Sequence, residues 1–249
     1  MKIVYAILSI LLPFILNAQT EGTIIYTQTV SFDFEAPEGM EDMFKNMPKS
    51  QSSEKILLFK DSESLYKTHK SNDFNHESRV ESDMGESVFN IKIQEPDNQV
   101  YMDRKDEKTI AKQDLMGKPF LIEDDIEKQD WKVSSDRRQI LDYQCMKATY
   151  AKNDSTEIIA WFTPQIAQGI GPENYNGLPG AILMIDINEG EREIVAKEIT
   201  LDAVDESLIA PPTKGKKVSR DKFKKIEKEK MEEMESISGG TGVRMVIRG

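Results

Sequence analysis

Among its 249 residues this chain has one cysteine, Cys145, and two histidines, His69 and His76. It is therefore short of the side chains that most metal and thiol chemistry needs. A single thiol excludes an intramolecular disulfide. The histidines do not have the spacing of a metal pair on one helix and no second thiol can join them, so no zinc or copper site and no cofactor is expected. Cys145 lies in the strand-like stretch from Asp142 to Tyr150, where a free cysteine behaves as a small buried hydrophobe. Positive charge is in the minority, with 33 Lys and Arg against 44 Asp and Glu and a formal net charge of −11. That balance argues against a nucleic-acid partner and is first of all a solubilising surface, with a basic partner as the sharper reading. Long apolar runs are missing too, except at the start. Met1 to Ala18 carries one charge, Lys2, and ends on a small residue, which reads as a cleaved secretory signal too short for a membrane span. Gln19 stands where a lipid-anchored bacterial protein would have Cys. The mature chain is thus expected to be exported, periplasmic or secreted, without a transmembrane anchor. No Ser, His, Asp pattern assigns catalytic roles.

Glycine and proline are concentrated in one place. Gly169 to Asp186, GIGPENYNGLPGAILMID, holds four of the 14 glycines and two of the 10 prolines and runs directly into an apolar strand. Leu178 before Pro179 is pushed to extended dihedrals, and Gly180 can then take the positive φ of a type II turn. Gly171, Pro172, Tyr175, Gly177, Leu178, Pro179 and Gly180 form the motif. Two readings stand side by side: a recognition loop with Tyr175 and Leu178 as candidate ligand contacts, or a corner that lets two strands approach closely. The loop lacks the Lys-Ser or Lys-Thr ending of a P-loop, and its glycines precede a strand rather than open a helix.

Periodicity organises the rest. Thr23 to Phe34 alternates with a period of two, as a half-buried strand does. Between Gly39 and Pro48 the apolar residues Met40, Met43, Phe44 and Met47 fall on one face of a short helix. Methionine adapts to irregular surfaces, so this face is either ordinary packing or a ligand-contacting lid. Lys55 to Phe59 and Ser64 to Thr68 predict a hairpin, and the polar segment Lys70 to Glu86 predicts a mobile loop. Short strands at Ser87–Ile93, Gln99–Asp103, Thr109–Lys112, Pro119–Glu123 and Trp131–Val133 predict a meander, with Glu123, Asp124 and Asp125 as a solvated turn. Ile140–Tyr150 and Glu157–Thr163 predict a hairpin whose second strand is apolar enough to be covered on both sides. Ala181–Ile187 and Ile194–Leu201 predict another around Gly190. Ser219 to Ser236 predicts a charged helix with a narrow apolar stripe and a Ser cap, and Val243 to Ile247 a last short strand or tail. The fold class is mainly β, within α+β: a single curved antiparallel sheet or half-barrel, with a short N-terminal Met-rich helix and a C-terminal charged helix. One β domain is expected over 19–210, with 211–249 packed on it or projecting from it.

Three pieces, Ile140 to Ala148, Ala160-Trp161-Phe162-Thr163-Pro164 and Gly171 to Gly180, resemble the GLPGLI family of exported proteins from Bacteroidota. The chain departs from the name-giving motif at its fifth letter, where Ala181 replaces a larger aliphatic residue. The resemblance implies an envelope or secreted β protein with no established activity, and so no catalytic residues to transfer. The function expected is a non-catalytic binding or accessory protein, its partner an apolar or extended ligand, a lipid or a peptide segment, or an envelope protein. A hydrolase with an unrecognised site and a structural envelope component are the alternatives. If the Met40 to Met47 face is a lid, amide hydrogens of Met43 to Met47 exchange at a much lower free energy than those of Ile158 to Phe162. Equal protection makes the segment core.

Overall fold

The computed structural model describes residues 20–31, 33–35, 49–70, 74–82, 85–93, 95–153, 155–238 and 244–246. The expected signal at 1–18 and the Met40, Met43, Phe44 and Met47 face lie outside these residues. The chain forms β1 (Glu21–Ser31), β2 (Asp33–Glu35), β3 (Ser50–Lys60), β4 (Glu63–Lys70), β5 (Phe74–Ser82) and β6 (Gly85–Ile93). It continues with β7 (Gln99–Asp103), β8 (Lys108–Leu115), β9 (Lys118–Asp125), β10 (Lys132–Ile140), β11 (Tyr143–Asn153) and β12 (Thr156–Thr163). Last come β13 (Ala181–Ile187), β14 (Arg192–Thr200), β15 (Lys216–Val218), a helix at Arg220–Ser238 and β16 (Arg244–Val246). Twelve strands make one open sheet in the order β10-β11-β12-β13-β14-β1-β3-β4-β7-β8-β9-β15. The expected mainly β fold is thus observed, antiparallel throughout except where β15 runs parallel to β9. The pairs β2–β16 and β5–β6 form separate two-stranded ladders. Among the described residues, no helix is long and apolar enough to cross a membrane.

Alternation decides which face is covered. On β1, Ile24, Tyr26, Gln28 and Val30 point one way, and their partners on β3 are Leu57, Lys55, Ser53 and Gln51. The row continues through Tyr66 of β4, Val100 of β7, Ala111 of β8 and Ile122 of β9 on one side, and Ile194, Ile185 and Ala160 on the other. We call this the inner face. It is apolar at the end marked by Ile24, Leu57 and Phe59 and becomes polar toward Gln28, Ser53 and Gln51. The opposite face carries a smaller cluster, Leu58, Leu65 and Tyr101, covered by Val204 and Ile209 around the short turn Glu206–Leu208.

The segment after β12 fills the apolar end of the inner face. Ile166 and Ile170 are buried, as are Tyr175 and Leu178. The Ala181 amide donates to the Ile166 carbonyl at 3.0 Å and the Ile182 amide to the Ile170 carbonyl at 2.8 Å, so the loop is stitched to the strand that follows it. Gly180 has φ +152°, and its amide donates to the Leu178 carbonyl at 2.8 Å. This is a three-residue turn about Pro179 and not the type II turn that the residue order predicts. The reason is contact. A Cβ on Gly180 would lie 2.1 Å from the Thr163 carbonyl oxygen, because Thr163 and Ala181 must pair as β12 and β13 meet.

Four other expectations are corrected. The polar stretch 70–86 contains β5, which pairs with β6 through Phe74↔Ile93, Ser78↔Phe89 and Val80↔Ser87, so the partner strand supplies the ladder that its composition disfavours. The strand expected over Ile140–Tyr150 is broken at Leu141, whose φ of +51° turns the chain from β10 into β11. Glu123, Asp124 and Asp125 end β9 instead of forming a turn; Asp125 pairs with Lys108 at 2.5 Å and Asp124 with Arg220 at 2.7 Å. On β12, Ile159 and Trp161 are only half-buried, and the Arg138 guanidinium lies 5.8 Å from the Trp161 ring centre, so its second face is not fully covered.

The C-terminal helix starts where expected. Ser219 Oγ accepts from the Lys222 amide at 3.3 Å, a side-chain cap. Phe223 then meets Phe120 edge-to-face at 5.5 Å, and burying such a ring stabilises the contact by about 2 kcal/mol. Ile226 also packs against the core, whereas Met231 further along is half-exposed. Gly180→Val is expected to lower unfolding stability by at least about 2 kcal/mol in urea titration, since a branched side chain would strike the β12 backbone. An unchanged midpoint means that the two strands do not approach as described.

Candidate functional site

Where the inner face turns polar it forms a cleft of about 590 Å³. Its floor is built from Gln28, Ser53, Lys55, Tyr66 and Arg192, with the helix on one wall through Phe223 and Lys224 and the glycine-rich loop on the other through Glu173 and Asn174. Strands as distant in the sheet as β14 and β9 line the same space, so this face is concave. The chain leaves the sheet at Ser31 and Lys70 and re-enters at Ser50 and Gln99, at the end where Val30, Gln51 and Asn98 line the cleft. Two connections therefore depart from its rim.

Lys55 occupies an inward register on β3, opposite Tyr26, and its side chain is only 7% exposed. A lone ammonium there would be costly, and Glu95 offsets it with a carboxylate 9% exposed. One oxygen, Oε1, accepts from Lys55 Nζ and, at 2.6 Å, from Ser53 Oγ; Lys55 also donates to Thr68 Oγ1 at 3.0 Å. Glu95 Oε2 is buried with no partner.

A second ion pair stands across the floor. Arg192 of β14 donates through Nη1 to Glu173 Oε1 at 2.9 Å and through Nη2 to Oε2 at 3.0 Å, a two-pronged bond. The carboxylate of Glu173 beside it, acting against burial, raises the Arg192 pKa. Glu173 holds a left-handed φ of +54°, uncommon for a residue with a side chain, and Arg192 Nε is buried without a partner. Tyr66 stands between the two pairs, its hydroxyl 3.4 Å from Gln28 Oε1. Burial, and then the charge of Glu173, push its phenol well above the ordinary tyrosine range. Burial likewise pushes Tyr175 up to about 12, with Glu173 adding to it. Both phenols stay neutral at physiological pH and can only donate or accept hydrogen bonds.

The loop residues divide between core and cleft. Tyr175 and Leu178, the two candidate contacts, face the core, whereas Glu173 and Asn174 reach the cleft. Gly171 and Pro172 are buried, Gly177 and Pro179 exposed. A Cβ on Gly171 would come within 2.6 Å of the Tyr175 carbonyl oxygen, so this glycine allows the loop to fold on itself. The loop is clamped from outside as well: Trp131 Nε1 donates to the Asn176 carbonyl at 2.8 Å, and Gln129 Oε1 accepts from the Asn176 amide at 3.1 Å. Cys145 is fully buried, and burial pushes its thiol up to about 11, so it holds no thiolate at neutral pH. His69 is exposed on β4, outside the cleft lining, and His76 lies on β5. The residues missed by sequence reasoning are Lys55, Glu95, Tyr66, Glu173 and Arg192. The available signal was Lys55, a charge at an inward position of the alternating row Ser53, Lys55, Leu57, Phe59.

A family model described as a protein of unknown function, Porph_ging, matches residues 151–184, the end of β11, β12, the loop and the start of β13. No curated protein matches the chain. Among solved structures it is similar in fold to PNGF-II in two crystal forms. One gives 18% identity and a TM-score of 0.51, covering 83% of this chain and 33% of that one. The other gives 17% and 0.52, covering 83% and 32%. This chain therefore spans about a third of the length of PNGF-II.

Lys55→Met leaves Glu95 buried without its cation and is expected to destabilise the fold by about 3 kcal/mol in denaturant unfolding. Adding Glu95→Leu should recover most of that loss. If the single variant is as stable as the parent, the pair is not held out of water.

Proposed function

We propose that this is a non-catalytic binding protein of the GLPGLI type, exported to the periplasm or beyond, and that the cleft on the inner face holds an extended ligand. The observation that carries the reading is the floor: two ion pairs, each with one buried polar atom that has no partner. Unmet hydrogen-bonding capacity of that kind disfavours a folded state unless something offsets it, and it recurs where a protein meets another molecule. Polar lining favours an extended molecule with hydrogen-bonding groups over a purely apolar lipid chain. Apolar patches at Val100, Ala111, Ile122 and Phe223 would receive its side groups, the mixture usual in binding clefts.

Native mass spectrometry of protein purified from its own host tests this reading. A retained adduct is expected on the parent protein and not on Gln113→Trp, which fills the cleft from β8. An adduct of equal abundance on both proteins places the ligand elsewhere; no adduct on either removes the reading's support.

A further inference from the structure

We infer that the ligand is an acidic peptide segment bound in extended form, an inference that rests on the cleft being the binding site. The lining carries five cations, Lys55, Lys152, Arg192, Arg220 and Lys224, against three carboxylates, Glu95, Glu173 and Glu227. The chain as a whole has the opposite bias, 33 basic residues to 44 acidic. Lys55, Arg192 and Arg220 are already matched by Glu95, Glu173 and Asp124. Lys152 and Lys224 are exposed, and among the described residues neither is held in an ion pair. One unpaired acid, Glu227, stands against these two unpaired cations. A concave site of positive sign on a negative protein draws in anions and repels cations, because its low-dielectric walls focus the field.

Position gives the shape of the occupant. Lys152 is near the end of β11, on the side of the glycine-rich loop, and Lys224 is near the start of the helix that packs on β9. These elements stand far apart in the sheet order yet line the same cleft, which favours an elongated, multiply charged occupant over a small anion. The floor adds a chemical constraint. Arg192 Nε is a donor without an acceptor, and Glu95 Oε2 an acceptor without a donor. Both atoms are buried in the floor of the cleft. A peptide backbone brings N–H and C=O groups and so matches both in kind. An acyl chain brings neither.

Three capped octapeptides that alternate Val with Glu, Gln or Lys provide the test, each read by fluorescence anisotropy with the full mature chain. The Glu peptide is expected to bind at least about tenfold more tightly than the Gln peptide, and the Lys peptide least. Lys152→Glu combined with Lys224→Glu, both on the surface and outside the fold's ion pairs, should remove that advantage, so that the Glu peptide binds no more tightly than the Gln peptide. Rising salt should have the same effect as the double variant. If the Gln or Lys peptide binds as well as the Glu peptide, and Gln113→Trp abolishes it, the cleft is a binding site but acidic selection is overturned. If no peptide binds and phosphatidylglycerol vesicles do, the peptide inference is overturned in favour of a lipid surface. If Gln113→Trp changes no binding at all, the cleft reading falls with it.

Discussion

An open sheet of twelve strands must cover one face without closing on itself, and everything else in this structure follows from how that is done. The period of two sends every second residue of every strand inward, so the inner face is one continuous surface across the sheet. Nothing in the strand geometry distinguishes its two ends. The distinction comes from the side chains placed along each row, apolar at Ile24 and Leu57 and polar at Gln28 and Ser53. Core and cleft are therefore two ends of the same strands. The loop after β12 fills the apolar end with Ile166, Ile170 and Leu178, and the helix covers one flank through Phe223. What neither reaches remains open.

The glycine-rich loop joins the two readings that its sequence left side by side. It is a tight corner, because Gly180 must lie against the Thr163 carbonyl, and it also forms part of a wall, because Glu173 extends from it to Arg192. A rigid base with a polar tip is a common way for a scaffold to present chemistry. The family match at 151–184 spans this unit, the strand before the loop, the loop and the strand after it.

Local pattern was legible in the sequence where the physics is local. Alternation marked β1, the turn before Gly190 marked the β13–β14 hairpin, where Asn188 and Glu189 both take positive φ, and the Ser219 cap marked the start of the helix. The site was not legible for the same reason. Lys55 and Glu95 are 40 positions apart and Glu173 and Arg192 are 19, and apart from Lys55, which interrupts an alternating row, each reads alone as an ordinary solvated charge. Only the registers of β3 and β14 turn these charges inward, and register is set by partners that a linear reading does not align. Likewise β5, rich in polar residues, is a strand because β6 lies beside it.

The clamp on the loop has an optical consequence. The chain contains two tryptophans. Trp131 bonds through its indole nitrogen to the carbonyl of Asn176 and stands 6.3 Å from the Tyr175 ring, whereas Trp161 lies on the other face beneath Arg138. One fluorophore is thus wired to the loop that walls the cleft, while the other reports on a strand away from it. Replacing Trp161 by Phe would leave Trp131 as the single tryptophan, and its emission would follow the seating of that loop. The molecule carries its own dye.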